Sequence, residues 1–442
     1  MNHLQGSMLN TIMNRFPKLH APVFGWLLLI VLLSVAGCSS AKETVSFMIS
    51  GDPAERQAYL NLVAAFEEAH PEITVEVTHI PSGSEYRSRL ATEFAAGSPP
   101  DVTLMNYRRF SAFAANGLLE PLGPYLAQSD LIKAEDFYPI TIDAFIWDGA
   151  ITCIPQNISS LVVYYNQDMF DAASLPYPAD DWTWDDFVKT AVALTQDFDG
   201  NGTIDQYGVG IETSLYRLAP FVWQNGAPIV NSEEFPTRLT ITRPPAQAAL
   251  QWFVDLRQVH GVVPGRVEEA AQDSESRFVA GTTAMFFDSR RGTPTYREIE
   301  EFVWDVAPLP RNQEVAGVLH SDAYCLSSTT ENKDAAWTFI EFANSFEGQT
   351  IIAGSGRTVP SLISVAESDA FLNPDQLPSR SRVWLDTVDT LRLVPIISTW
   401  EEIEGTASEE IERAFYGDIS VEEAAQLIDT RTEEYFQLGV SR

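Results

Sequence analysis

The sequence predicts an α/β protein built on parallel sheet, and three features predict it. From Val45 onward, apolar runs of strand length alternate with stretches of helical period in the order strand, helix, strand, helix, strand, helix. The connections are short and rich in Gly, Pro, Ser and Asn, which implies a sheet covered by helices on both faces. The 442 residues less a 37-residue leader leave 405, beyond the size at which one core stops growing, so two domains are expected.

The leader sits at the start of the chain. Arg15 and Lys18 precede a mostly apolar run over 23–36, too short to span a bilayer and ending in small residues before a cysteine, the pattern of a secretory signal. Val35-Ala36-Gly37-Cys38 resembles the bacterial lipobox, which implies removal of residues 1–37 and a lipid on Cys38, anchoring the chain to the outer face of the cell membrane or holding it in the periplasm. Ordinary signal cleavage would instead leave Cys38 a free thiol. Residues 38–44 read as a polar tether.

Charge excludes several partners. The formal net charge of −33 becomes about −35 once the two basic residues of the leader are removed. Nucleic acid and anionic lipid surfaces require basic patches, so neither is an expected partner. Cys153 and Cys325 lie in strand-like runs and could be buried thiols or one disulfide. His70, His79, His260 and His320 have no ligand-like spacing, which argues against a histidine metal centre.

The elements follow in order. A strand over 45–49 precedes a helix over 54–70 that places Tyr59, Leu62, Val63 and Phe66 on one stripe and ends at Pro71. Ile73, Val75 and Val77 alternate with polar residues as a strand, and a second helix carries Tyr86, Leu90 and Phe94. Gly97-Ser98-Pro99-Pro100 breaks it before a strand over 102–105, and a third helix with Phe110 and Phe113 closes at Gly117. In such sheets ligands sit beyond the carboxyl ends of the strands, so Ser50, Asp52, Glu85, Asn106, Tyr107 and Arg108 are candidates. A strand ending at Pro155, then Gln156-Asn157 and a new strand over 161–166, reads as a passage between lobes. Thr183 is the expected N-cap of a helix over 184–196, with Asp186 three residues on. Further helices are expected over 246–259, 274–280, 400–416 and 420–436, and strands over 283–288 and 322–327; Trp252 and Trp337 fall on helix stripes and read as core.

Residues 197–205 place Asp197, Asp199, Asn201 and Asp205 at positions 1, 3, 5 and 9 of a loop with glycine at 4 and 6. That spacing suits a structural Ca2+ ion, although position 12 is Gly208 where a glutamate would serve; the other reading is a glycine turn held by Asx hydrogen bonds. No cofactor is required by anything else in the chain.

Taken in order, these motifs resemble the extracellular solute-binding lipoproteins of ABC importers, of the maltodextrin-binding type. The resemblance rests on Phe66-Glu67 with His70-Pro71, Pro100-Asp101-Val102 with Gly117-Leu118-Leu119, and Ile154-Pro155 leading to Tyr164-Tyr165-Asn166. It continues through Trp182-Thr183-Trp184-Asp185-Asp186-Phe187, Asp199-Gly200-Asn201-Gly202, Phe278 with Gly281 and Ala284-Met285, and Ala424-Ala425. It implies two Rossmann-like lobes of periplasmic-binding-protein type II joined by a multi-crossing hinge, with a carbohydrate ligand in the cleft, a membrane permease as partner, and a monomer without catalysis. Lobe 1 would comprise 45–156 and 322–368, and lobe 2 157–321 and 369–442, with crossings near 155–158, 320–323 and 365–375. Family positions fall on Ser50 to Asp52, Asn106 to Arg108, Gln156, Asn157, Tyr216, Trp223, Asp288 to Arg291 (Asp288 and Arg290 foremost) and Trp400, while the tryptophan of maltodextrin-type members falls on Met105. Arg357 either reaches the ligand or decorates its loop. Aromatic faces would cover sugar C–H surface while Asp, Asn, Gln and Arg satisfy hydroxyls. Two other functions remain open on the residues alone: an exported glycoside-active enzyme using paired carboxylates, and a sensor or scaffold lipoprotein on the same fold.

Overall fold

A computed structural model describes residues 42–440; the leader, Cys38 and most of the tether lie outside the described residues. Among the described residues no helix is long and apolar enough to cross a membrane.

The first sheet begins with β1 (Glu43–Ser50), α1 (Pro53–Ala69), β2 (Ile73–Ile80), α2 (Gly83–Ala95), β3 (Val102–Asn106) and α3 (Tyr107–Ala114). β1 already starts at Glu43, so the last tether residues belong to the sheet. Strand periodicity splits the side chains of β1 between two cores. Val45, Phe47 and Ile49 pack under α1 with Tyr59 and Phe66, while Met48 turns to the opposite face with Tyr86 and Leu90. β1 pairs in parallel with β2 and β3, as two consecutive βαβ units require. β4 (Cys153–Pro155) and β9 (Asp322–Leu326) complete the order β2-β1-β3-β9-β4, with β9 antiparallel to both neighbours. α7 (Lys333–Ala343) and α8 (Phe346–Gly354) cover this sheet. Cys153 and Cys325 face each other across β4 and β9 with Cα atoms 4.6 Å apart, the close spacing of a non-hydrogen-bonded antiparallel pair, and are joined by a disulfide.

The second sheet has the order β8-β5-β7-β6, from β5 (Val162–Asn166), β6 (Tyr207–Gly210), β7 (Thr283–Asp288) and β8 (Trp304–Ala307). β5 runs antiparallel to β7 and β8, and only β6 and β7 are parallel. α4 (Trp184–Leu194), opened by a Thr183–Asp186 capping box, packs on β6 and β7, with α5 (Leu215–Gln224) and α6 (Pro244–Gln258) in the same core. α9 (Trp400–Phe415) and α10 (Val421–Leu438) pack on each other and on α6. Gly208 sits where a Cβ would come within 2.0 Å of the Ala191 carbonyl oxygen, so strand and helix approach as only glycine permits.

The chain passes between the two sheets three times: from β4 to β5, from β8 back to β9, and after α8 toward α9. The passages lie side by side, with Ser159 bridged to His320 and Asn157 to Pro360. On the third, the short helices Ile363–Ala366 and Asp369–Leu372 still pack with α8. Arg290 bolts this passage down. The buried guanidinium lies between the rings of Phe371 and Trp384, each 4.8 Å away, and donates to the Gly356 carbonyl (2.8 Å) and Ser381 Oγ (2.9 Å).

Candidate functional site

A cavity of about 720 Å³ opens between the two sheets, within the size range of small-molecule sites. Its floor is made by the crossing strands. Asp322, first residue of β9, accepts from Asn106 Nδ2 (3.1 Å) at the end of β3, and its backbone N–H donates to Asn157 Oδ1 (2.9 Å) on the first passage. Three distant segments thereby present one carboxylate and two amides to the same space.

Beside this group, Asp52 caps α1 by accepting from the Glu55 N–H (2.8 Å), and its other oxygen accepts from Arg357 Nη1. Arg357 Nη2 pairs with Glu55 Oε2 at 2.8 Å, and Nη1 donates to the Arg291 carbonyl at 3.3 Å, so one guanidinium joins lobe 1 to lobe 2. Gly51 makes room for this pairing: its φ is +126°, and a Cβ there would lie 1.6 Å from Glu55 Oε2. Burial pushes the Glu55 carboxyl up to about 7, against the pull of Arg357 and with the help of Asp322 and Asp52. His320 is pushed down to about 4, first by burial and then by Arg108, Arg291 and Arg217, although Asp322 opposes the shift. At neutral pH the floor therefore carries a neutral imidazole between charged partners.

Of the candidates named from sequence, Ser50, Asp52, Asn106, Asn157, Ser289, Arg291 and Arg357 line this cavity. The others are placed elsewhere, each for a visible reason. Glu85 lies exposed in the first turn of α2, where its N–H is capped by Ser82. Tyr107 is fully buried, its hydroxyl accepting from the Val394 N–H (3.3 Å). Arg108 turns to Glu404 (2.5 Å) and covers the Tyr216 ring at 4.2 Å, which removes both from the lining. Trp400 donates to the same Glu404 (3.0 Å), and Trp223 is buried on α5. Gln156 donates to the Tyr59 hydroxyl (2.9 Å). Asp288 is buried, accepts from the Tyr296 hydroxyl (2.9 Å), and lies 3.6 Å from Arg291 Nε, so it orients the arginine that does line the cavity. Arg290 is spent on the third passage, as described above.

Sequence reasoning missed Glu55, Asp322 and Arg109. Arg109 is the immediate neighbour of an arginine that was named, and which of the two faces the cleft depends on the turn after the strand. Asp322 carried a signal, a lone carboxylate opening a buried strand. No tryptophan is among the lining residues.

In the 197–205 loop, carboxylate oxygens of Asp197, Asp199 and Asp205 lie within 4.8 Å of one another. Asp197 accepts from the N–H groups of Gly200 and Gly202 (2.8 Å each), and Asn201 Nδ2 donates to Asp199 Oδ2 (2.8 Å). Gly208 belongs to β6, packed on α4.

The chain resembles a set of known proteins. A Listeria monocytogenes ABC substrate-binding protein solved in complex with cycloalternan superposes with a TM-score of 0.82 at 24% identity, covering 89% of this chain and 99% of that one. A Brucella abortus chain described as a binding protein is 24% identical over 395 residues, 87% of this chain and 91% of its own. A maltooligosaccharide ABC transporter solute-binding lipoprotein of Streptococcus pneumoniae is 21% identical over 330 residues, 74% of this chain and 73% of its own. Residues 50–350 match the family of bacterial extracellular solute-binding proteins, and with two sheets, three passages between them and a polar cavity at the crossing, the chain belongs to that family.

Proposed function

We propose that this protein is the solute receptor of an ABC importer for a sugar or other polyhydroxylated solute, which it captures between its lobes and passes to a membrane permease. The observation that carries the reading is the floor of the cleft. Asp52, Asn106, Asp322 and Arg357 of lobe 1, Asn157 on the crossing strand, and Ser289 and Arg291 of lobe 2 bring acceptors and donors to one cavity, the requirement of a ligand with many hydroxyls. Because both lobes contribute, ligand contacts are complete only when the lobes meet, and closure is the signal a permease can read. The named relatives include a maltooligosaccharide transporter component, which supports a carbohydrate over other solutes. The lipobox-like Val35-Ala36-Gly37-Cys38 supports lipid anchoring through Cys38 at the outer face of the membrane.

The test titrates the protein with maltose, gluco- and xylo-oligosaccharides, trehalose, mannitol and glycerol 3-phosphate while following intrinsic tryptophan fluorescence and melting temperature. A saturable change with a raised melting temperature is expected for one ligand class, with the sugar recovered intact by chromatography. Consumption of a sugar would favour the glycoside-active alternative instead.

A further inference from the structure

Part of the cavity's lining differs in chemistry from the floor. Beyond Asn106, the walls are one stripe of α2, with Tyr86, Leu90 and Ala91, and one stripe of α3, with Ala112 and Phe113. Met105 from β3 also lines it, and Phe113 rests on the buried ring of Phe94, their centroids 5.0 Å apart. The side-chain hydrogen-bonding groups on these walls are committed: the Tyr86 hydroxyl donates to the Leu104 carbonyl at 2.8 Å. At the mouth, Arg87 and Arg109 both face Glu401 of α9, with Nε to Oε1 distances of 3.0 and 3.2 Å, so a carboxylate from lobe 2 sits over an alcove that belongs to lobe 1.

A sugar ring in this alcove would lose hydrogen bonds to water without replacement, which is unfavourable for each buried hydroxyl. An apolar group gains from the same burial. We propose that the α2–α3 alcove is a binding compartment for an alkyl or aryl substituent carried by the hydroxylated ligand, whose head rests on the Asp52–Asp322–Arg357 floor. The cleft then selects an amphiphilic glycoside or substituted polyol over the bare sugar, with the Arg87–Glu401–Arg109 bridge closing over the substituent. This rests on the reading of the floor given above, but the alcove can be tested without it.

The experiment has two arms on the purified protein. In the first, methyl, propyl and pentyl glucosides are titrated by calorimetry; affinity is expected to rise roughly fourfold per added methylene until the alcove is filled. In the second, 1-pentanol, which has no sugar head, is titrated while the methyl NMR signals of Met105 and Leu90 are followed; saturable shifts of both are expected. Ala112→Asp and Ala91→Asp, which place a carboxylate on either wall at positions that are not fully buried, are expected to flatten the glucoside series and abolish the pentanol shifts. Methyl signals unmoved by pentanol would overturn the alcove, and a flat glucoside series would overturn the claim that head and substituent belong to one ligand. Pentanol shifts in a protein that binds none of the glucosides would uphold the alcove and count against the proposed function of the floor.

Discussion

The two walls of the cleft are built differently. On the lobe 1 side, Ser50, Asp52 and Asn106 leave the carboxyl ends of the parallel strands β1 and β3 and reach the cavity directly. On the lobe 2 side, β5 runs antiparallel to β7, so its carboxyl end points away from the cleft, and the wall is made by residues that follow β7 together with Glu275 and Glu401. There the side chains alternate between duties: Asp288 and Arg290 turn inward to hold the scaffold, while Ser289 and Arg291 face the cavity. The rule that ligands lie beyond the carboxyl ends of strands thus holds strand by strand in a mixed sheet, and a buried charge beside the cleft can serve the ligand only through its neighbour.

The sharpest way to break this comparison uses the adjacent arginines. Arg290→Ala removes a buried side chain, its ring contacts and two hydrogen bonds, and is expected to cost about 3–5 kcal/mol of unfolding free energy in a urea titration. Arg291→Ala is expected to cost clearly less stability, since the buried Asp288 keeps Arg217 at 3.4 Å, and to weaken ligand binding. Equal losses of stability would erase the distinction between scaffold and lining.

The disulfide tests lobe 1. It ties β4 to β9, each three residues from a passage between the lobes, across a sequence separation of 172. The Cys153→Ala/Cys325→Ala double variant should lose about 2–4 kcal/mol by urea denaturation. A stability equal to that of the oxidised protein would show that the sheet alone fixes these strands.

pH gives opposite signatures from two floor residues. Glu55 has a folded pKa raised to about 7, so the native state holds its proton more tightly than the unfolded chain, and its contribution to stability is lost as pH rises from about 4.5 to 7. His320 has a folded pKa lowered to about 4, so its contribution is present above the unfolded value near 6.5 and is lost as pH falls toward 4. Between about pH 4.5 and 6.5 the two slopes oppose each other. Glu55→Gln should therefore make stability fall more steeply on acidification, and His320→Asn should make it rise, each by on the order of 1–2 kcal/mol across that window. Parallel profiles for both variants would contradict the assignment.

The smallest effect is expected at Trp400. Its indole N–H donates to Glu404, which Arg108 also engages, so Trp400→Phe should cost about 1 kcal/mol in stability and change ligand affinity by less than about threefold. A large loss of affinity would put this tryptophan back among the ligand contacts.

The parallel half of lobe 1 was legible in the sequence because its strands and helices keep clean periods of 2 and 3.6: Val45, Phe47 and Ile49, then Tyr59, Leu62, Val63 and Phe66, appear in the observed core as spaced. The same regularity carried Asp52 and Asn106 to the strand ends. Aromatic candidates were less legible, because Tyr107, Tyr216, Trp223 and Trp400 satisfy a buried core as readily as a sugar face, and the choice depends on contacts between segments far apart in the chain. Arg87, Ala91 and Ala112 were invisible as lining because their helices read as covering layers, and only the meeting of α2 with α3 at Phe94 and Phe113 turns those stripes toward the cleft.

The most direct test of the account is a calorimetric titration of the ligand identified from the sugar panel into the wild-type protein and into Asp322→Ala. The Asp322 carboxylate accepts from Asn106 Nδ2 (3.1 Å) and from Asn157 Nδ2 (3.5 Å), and its loss is expected to weaken binding at least about tenfold while the protein remains folded. Binding of equal strength in both proteins would contradict a ligand held on the floor of the cleft.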